Sequence, residues 1–282
     1  MTYLDYNAGT PLHPQVAEFL AEAFRREPAG NPSSVHGAGR AARARLDAAR
    51  ARVARVVGRS AREVLFTASG SEACATAVLG LGRGGRLVTS AIEHPCVLLA
   101  AERRGTPVLQ LRPGADGRIG PAAFEEALAG GAALCALQAA NNETGVLQPA
   151  DEVVGLARAR GVATFVDAVQ GPGRVSPASE ADAVAYSAHK FGGPAGVGIL
   201  TVRRGVALEP LVPGHQEGGL RGGTPAVVLC EAAALALELA EAERAAEVAR
   251  LEALRARFER SVLDVRPGVR VHGAASPRLA NT

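Results

Sequence analysis

Lysine is almost absent from this 282-residue chain, although basic residues are not. Of the 31 basic side chains, 30 are arginine, and Lys190 is the single lysine. A guanidinium group stays protonated and cannot act as an amine nucleophile, whereas a lysine amine can be tuned to do so. A lone lysine in such an arginine-rich background is therefore a candidate for covalent chemistry.

Long apolar runs and a leader sequence are also lacking. No run approaches the roughly 20 uncharged residues that span a bilayer. Residues 1–6 have neither the basic block nor the apolar block of a signal peptide. A hydrophobic content of 48% with 21% charged residues is typical of a soluble globular chain. We expect a cytoplasmic protein without a membrane partner.

Neither the cysteines nor the charge indicate a metal site or a polyanionic partner. The four cysteines lie far apart without a C-x-x-C pair, which predicts buried free thiols and no metal. They are Cys74, Cys96, Cys135 and Cys230. The arginines of residues 40–62 alternate with apolar residues at helical spacing, which predicts an amphipathic helix with a solvated basic face. With a net charge of only +3, we expect no nucleic-acid partner.

Short apolar runs alternate with helical patterns along most of the chain. The runs predict strands at residues 63–67, 86–89, 107–111, 132–138, 162–167, 182–186, 197–202 and 269–272. The helical patterns fall at residues 14–26, 71–82, 95–104, 121–129, 149–160 and 226–263. This order predicts an α/β fold, with a mainly parallel mixed sheet flanked by helices. The strands at 182–186 and 197–202 are too close for a helical crossover, so one antiparallel member is expected.

Polar motifs follow several predicted strands, where ligands of open α/β sheets collect. A small-residue turn, Thr67–Glu72, opens a helix and suits an anion, although it also fits an ordinary capped turn. His94 precedes another helix, and a lone histidine there is more often structural. Asn141–Gly145 offers two amides and a carboxylate. Asp167 ends an apolar strand and needs a partner, either a protonated ring nitrogen or a nearby arginine.

Lys190 follows the sixth predicted strand, within Tyr186–Pro194. A lysine for a covalent imine, an aspartate for a pyridine nitrogen and a glycine/serine anion loop form the set that pyridoxal 5'-phosphate requires. Each motif is weak alone. Their joint occurrence at strand ends predicts a pyridoxal-phosphate site.

A series of motifs resembles the cysteine desulfurases, which belong to the class V aminotransferase group with the type I pyridoxal-phosphate fold. The matching stretches occur in the family's order and cover nearly the whole chain. They are Tyr3–Thr10, Gly30–His36, Phe66–Thr67, Glu93–Pro95, Asn141–Gly145, Asp167–Gln170, Ser187–Lys190 and Arg221–Thr224. One departure is Gly9, where the family has threonine.

The resemblance implies a role for each matched position. Lys190 would hold the cofactor and move protons at the substrate α-carbon, with His94 stacked on the ring and assisting. Asp167 would hold the ring nitrogen, while Asn142 and Gln170 would contact the phenolic oxygen. The phosphate would be bound by Gly70, Ser71, Ser187 and His189, and by Thr224 of a second subunit. The last role implies a homodimer with shared active sites.

The resemblance also implies a domain division and an interrupted end. Residues 14–245 would form the cofactor-binding large domain, and residues 1–13 and 246–282 a partial small α/β domain. Beyond a segment like Pro277–Thr282 the family carries a mobile loop with the catalytic cysteine and an arginine that binds the substrate carboxylate, and we expect neither to have a counterpart in these 282 residues. We expect a fragment or a shortened relative, apparently truncated at the C-terminus and exposing apolar surface.

The implied reaction is conversion of L-cysteine to L-alanine, with the sulfur transferred as a persulfide for iron–sulfur or thio-cofactor assembly. A sulfur-acceptor or iron–sulfur scaffold protein would be the partner. Alternatives are a selenocysteine lyase or another amino-acid β-elimination enzyme, and an inactive cofactor-fold scaffold. Cys96 lies near the expected cofactor position, but at a helix start it is expected to lack the mobility to deliver sulfur.

Overall fold

The computed structural model describes residues 2–25, 30–177, 179–266 and 268–282. Within these ranges seven strands form one sheet, in the order β1-β7-β6-β5-β4-β2-β3. Their bounds are β1 Val64–Thr67, β2 Leu87–Ser90, β3 Val108–Leu111, β4 Leu134–Gln138, β5 Ala163–Asp167, β6 Ala183–Ser187 and β7 Gly198–Val202. All seven match predicted strands to within two residues at each end.

Strand β7 alone runs against the others in the described sheet, because it pairs antiparallel with both β6 and β1. The close spacing of β6 and β7 predicted one antiparallel member of the sheet, and that prediction is confirmed. The position of β1 beside β7 was not foreseen. As a result, β1, β2, β4, β5 and β6 all end at the same edge of the sheet.

Helices cover both faces of the sheet. Their bounds are α1 Pro14–Arg25, α2 Gly37–Val57, α3 Gly70–Gly80, α4 Pro95–Arg103, α5 Pro121–Ala129, α6 Ala150–Arg158 and α7 Val227–Val265. Alternate strand residues face opposite layers: Leu87 and Phe165 pack with α3 and α4, while Val88 and Val166 pack on the other side. The remaining helices form that second layer. This buried alternation is typical of an α/β sheet covered on both faces.

Some predictions need correction or fall outside the described ranges. The strand predicted at residues 269–272 is wrong, because this stretch lies in irregular structure with no strand partner among the described residues. The predicted end of α1 at Arg26 lies outside the described residues. Helix α7 runs unbroken across residues 245 and 246, where the domain boundary was predicted. In the described ranges, no helix has the length and apolar character needed to span a bilayer.

The arginines of α2 are less solvated than expected. Arg45 and Arg52 form ion pairs with Glu231 and Glu238 of α7. Arg50 donates two hydrogen bonds of 2.7 Å to Glu217, whose carboxylate also accepts from the backbone N–H of Phe66. The expectation of a solvated basic face is therefore wrong for these three arginines, which link α2 to the structure around α7.

Replacement of Arg50 should destabilise the fold measurably. The side chain of Glu217 is only 1% exposed, so Arg50→Ala would leave a buried carboxylate with one backbone donor. Hydrogen bonds to charged groups contribute about 1.5–3 kcal/mol, and we expect a loss of about 2–3 kcal/mol in urea unfolding. Arg43→Ala is the matched control, because the Arg43–Asp47 pair is exposed and worth under about 0.5 kcal/mol. Equal losses for the two variants would contradict this assignment.

Candidate active site

A cavity of about 630 Å³ opens at the edge where the parallel strands end. We call it the strand-end pocket. Nine of the ten site residues predicted from sequence line it, and they come from five different strand ends. They are Gly70, Ser71, His94, Asn142, Asp167, Gln170, Ser187, His189 and Lys190. Residues scattered over 121 positions of the chain are thus brought together, as the strand-end motifs predicted.

The first residues of α3 form one wall of the pocket. Ser69 caps the helix by accepting a hydrogen bond of 3.0 Å from the Glu72 N–H. A side chain at Gly70 would meet the Ser187 Cβ at 2.7 Å, so only glycine lets the two chain segments approach. On the facing segment, Ser187 Oγ lies 3.0 Å from His189 Nδ1. Free N–H groups at a helix start, with hydroxyl and imidazole groups opposite, form a suitable cradle for an anion.

Lys190 projects its amine into the pocket from the short helical turn after β6. The Nζ donates to the backbone carbonyls of Asn7 and Ala8, the second at 3.0 Å. Partial burial lowers the pKa of Lys190, and the nearby Arg174 guanidinium lowers it further. A lowered pKa increases the fraction of neutral amine, which is the nucleophilic form.

Asp167 lies at the end of β5 and is only 7% exposed. Its Oδ1 accepts a hydrogen bond of 3.0 Å from the Val169 N–H. Burial raises the pKa of Asp167 to about 6, and the Val169 hydrogen bond opposes that shift. No arginine pairs with this carboxylate among the described residues, so the arginine alternative raised from sequence is not realised. The carboxylate faces the pocket, and no lysine or arginine of the described residues forms an ion pair with it.

His94 lies at the start of α4 and also caps it. Its Nδ1 accepts a hydrogen bond of 3.2 Å from the Cys96 N–H and lies 3.0 Å from the Cys96 Sγ. The contact with Cys96 raises the pKa of His94, and burial opposes it. Cys96, which was expected near the cofactor, lines the pocket, and so does Cys74, which was not. Their spacing of 22 residues in sequence gave no signal of this proximity.

Asn142 and Gln170 are joined through Asn7, whose role sequence reasoning missed. Asn7 Nδ2 donates to the Asn142 carbonyl at 2.9 Å, and Gln170 Nε2 donates to the Asn7 carbonyl at 2.9 Å. Arg174 completes this side by donating to Gln170 Oε1 and, at 3.3 Å, to the Lys190 carbonyl. Most of these hydrogen bonds are accepted by backbone carbonyl groups, so the pattern of side chains in the sequence does not predict them.

Thr224 is the predicted site residue that the structure does not bring to the pocket. It is exposed, in the segment between β7 and α7. Its neighbour Arg221 reaches back to Glu72 of α3 at 2.8 Å. A role for Thr224 at the pocket of its own chain is therefore not supported, and its assignment to a second subunit stays a prediction.

Glu93 precedes His94 in sequence and is almost fully buried. Its Oε1 accepts from Ser90 Oγ and, at 3.1 Å, from the Gln138 N–H. Oε2 has no hydrogen-bond partner among the described residues. Burial raises the pKa of Glu93 to about 8, and the charge of Asp167 contributes to that shift. We infer that Glu93 is protonated at neutral pH.

The Glu93 proton should make stability depend on pH. The folded chain holds this proton up to about pH 8, whereas the unfolded chain releases it near the ordinary value of 4.5. Stability therefore falls as pH rises through this window, by up to about 1.4 kcal/mol per pH unit. We expect the free energy of unfolding, relative to Glu93→Gln, to drop by about 2–3 kcal/mol between about pH 5.5 and 7.5. Parallel pH profiles from urea denaturation would rule out this protonation state.

The sequence model of the Aminotransferase class-V family matches residues 2–282. A cysteine desulfurase from Cereibacter sphaeroides is 40% identical over 301 residues, covering 99% of this chain and 75% of that protein. The IscS-like cysteine desulfurase of Mycobacterium tuberculosis is 38% identical, covering 99% of this chain and 76% of that protein. Among solved structures, the NifS-like protein from Rickettsia africae superposes with a TM-score of 0.92 at 29% identity, covering 99% of this chain and 79% of the other. The chain belongs to the class V aminotransferase family.

Proposed function

We propose that this chain is a pyridoxal-phosphate-dependent enzyme of the cysteine desulfurase type and that Lys190 is the residue that binds the cofactor covalently. The observation that carries the proposal is the arrangement of the strand-end pocket. The chain's single lysine reaches into it, a buried carboxylate faces it, and the amino end of α3 forms its wall. The family match and the relatives named cysteine desulfurase support the same conclusion.

The residues present suit pyridoxal phosphate in three respects. Asp167 is a buried carboxylate without a cationic side-chain partner among the described residues, as a ring N–H would require. The start of α3, with Gly70, Ser71 and the facing Ser187, offers donors for a phosphate dianion. We assign His189 to the same phosphate, and Asn142 and Gln170 to the phenolic oxygen. His94 would lie against the ring.

When bound, pyridoxal phosphate supplies an electron sink for a carbanion at the substrate α-carbon. The chain supplies the remaining functions. The lowered pKa of Lys190 favours the neutral amine, so Lys190 can take the α-proton and return it. Asp167 would keep the proton on the ring nitrogen because a buried carboxylate stabilises an adjacent cation. His94, which lines the pocket and has a raised pKa, would hold a second proton.

We propose L-cysteine as the substrate, giving L-alanine while a thiol R–SH becomes a persulfide R–S–SH. The relatives in the sequence comparison are named cysteine desulfurases, and one similar solved structure is SspA in complex with cysteine, 33% identical with a TM-score of 0.79. The names of these relatives do not favour the selenocysteine lyase or the inactive scaffold alternative. A sulfur acceptor or iron–sulfur scaffold protein is the proposed partner.

We further propose a homodimer in which Thr224 of one subunit reaches the phosphate held by the other. The exposure of Thr224 and its position outside the pocket of its own chain support this arrangement.

The division into a large domain of residues 14–245 and a partial small domain remains part of the proposal. Because α7 is continuous, it would be the rigid link between them. A cytoplasmic location is also part of the proposal.

An absorption spectrum tests the proposal. The purified chain with added pyridoxal phosphate should show a visible band that borohydride bleaches. L-Cysteine should change that band, and with dithiothreitol as sulfur acceptor it should release alanine and sulfide. L-Selenocysteine serves as the competing substrate, and preference for it would favour the lyase alternative. A colourless protein that added cofactor leaves unchanged would refute the proposal.

A further inference from the structure

Two cysteines lie together in the wall of the strand-end pocket. Cys74 belongs to α3 and Cys96 to the first turn of α4, and the two helices pack on the same face of the sheet. Both line the same cavity, and each shifts the pKa of the other. Both are free cysteines, and we call them the Cys74–Cys96 pair. Neither thiol has a part in the chemistry proposed above.

The two thiols differ in access and in environment. Cys96 is half-buried and faces the cavity, whereas Cys74 is fully buried behind it. The Cys96 Sγ lies 3.0 Å from His94 Nδ1. The hydrogen bond from Cys74 lowers the pKa of Cys96, and the His94 contact lowers it further. The same hydrogen bond raises the pKa of Cys74. The two shifts favour the thiolate at Cys96 and the thiol at Cys74.

The chain's other cysteines provide an internal contrast. Cys135 and Cys230 are buried in the apolar layers on the opposite face of the sheet. Burial raises the pKa of each to about 12. Thiols in such surroundings are inert, whereas a thiolate that is accessible and next to an imidazole is reactive. Of the four cysteines, only Cys74 and Cys96 line the cavity.

We propose that Cys74 and Cys96 form a redox-active dithiol that hydroperoxides convert to a disulfide in the wall of the pocket. The Cys96 thiolate attacks one peroxide oxygen, the O–O bond breaks, and hydrogen peroxide leaves as hydroxide while the sulfur becomes a sulfenic acid. The Cys74 thiol then attacks that sulfur and displaces water. The sulfur atoms lose two electrons in total, and the peroxide gains them. A dithiol reductant reverses the change by thiol–disulfide exchange.

Disulfide formation would alter the neighbouring carboxylate. The Cys74 thiol also hydrogen-bonds to Asp167, and this contact lowers the pKa of Asp167. The disulfide has no S–H, so Asp167 loses that donor when the pair is oxidised. Oxidation should therefore change the affinity for pyridoxal phosphate, a consequence that rests on the proposed function. The dithiol chemistry itself needs no cofactor.

The test uses the full chain without cofactor, so its result does not depend on the proposed function. The reduced protein is treated with hydrogen peroxide, blocked with N-ethylmaleimide and digested with trypsin without reduction. Cleavage after arginine places the four cysteines in four different peptides, at residues 63–83, 87–103, 119–158 and 222–244. We expect peptides 63–83 and 87–103 to be joined, with the free thiols falling from four to two, and dithiothreitol to restore all four.

Variants identify the role of each thiol. Cys96→Ala should leave Cys74 reduced, whereas Cys74→Ala should let Cys96 proceed to the sulfinic acid. Cys135→Ala and Cys230→Ala are the matched controls and should still form the disulfide.

Alkylation of Cys96 in the native chain at pH 7 should be about tenfold faster than that of an ordinary exposed cysteine. This measurement uses the native chain, so it does not depend on whether the variants fold. Four unchanged thiols after peroxide, or a disulfide that includes Cys135 or Cys230, would overturn the proposal.

Discussion

Lys190→Ala should abolish the visible band that added pyridoxal phosphate gives the native chain. The variant removes the only side-chain amine in the sequence, so no other side chain can form the imine. Because Lys190 is also the proposed base at the α-carbon, alanine formation from L-cysteine should fall by about 10²–10⁴-fold. The measurements are the absorption spectrum and the rate of alanine release.

Lys190→Arg is the matched control for the loss of charge. Arginine keeps the positive charge and can still donate to the Asn7 and Ala8 carbonyls, which Lys190 contacts in the structure. A guanidinium does not form the imine, so this variant should also lack the band. A visible band that survives in either variant and is still bleached by borohydride would contradict the role of Lys190.

Asp167→Ala should weaken cofactor binding by about 3–5 kcal/mol, or at least about a hundredfold. Removing one partner of a buried ion pair leaves the other charge without compensation. In this variant the uncompensated charge would be that of the protonated ring nitrogen. The measurement is equilibrium dialysis of pyridoxal phosphate. Asp167→Asn should lie between the native chain and the alanine variant, since the amide can still accept from the Val169 N–H.

Asp182→Asn is the control for a buried aspartate that is remote from the pocket. Asp182 precedes β6 at the opposite edge of the sheet and bonds with Arg203 and the Thr164 N–H. Its loss should lower the free energy of unfolding without changing the affinity for cofactor. Equal losses of cofactor affinity in the Asp167 and Asp182 variants would mean that Asp167 acts only through stability.

Much of the fold could be predicted from the sequence, because each strand is a short apolar run between turns. The buried strands carry apolar residues on both faces, and this pattern is unambiguous when helices alternate with strands. The prediction at residues 269–272 was wrong since Val269 and Val271 have the same alternation without a neighbouring strand to pair with. The place of β1 beside β7 depends on tertiary packing, which local patterns do not encode.

The strand-end pocket was foreseen for a related reason. Parallel strands end at one edge, so motifs that follow different strands must converge there. The residues of the pocket that the sequence did not predict contribute through backbone groups or through contacts between distant segments. Asn7 acts through its carbonyl, and Arg174 and the Cys74–Cys96 pair depend on how separate segments pack. The sequence-based expectation for Cys96 was that a residue at a helix start is too rigid to deliver sulfur. That expectation did not consider the contact of Cys96 with the His94 imidazole, which the structure shows.

The most direct measurement is borohydride reduction of the chain with pyridoxal phosphate, followed by mapping of the modified residue by mass spectrometry. With one lysine in the sequence, the only other primary amine is the α-amino group at the chain terminus. The account predicts a pyridoxyl phosphate adduct on Lys190, lost in Asp167→Ala at limiting cofactor. An adduct confined to the terminal amine, or no adduct at all, would contradict it.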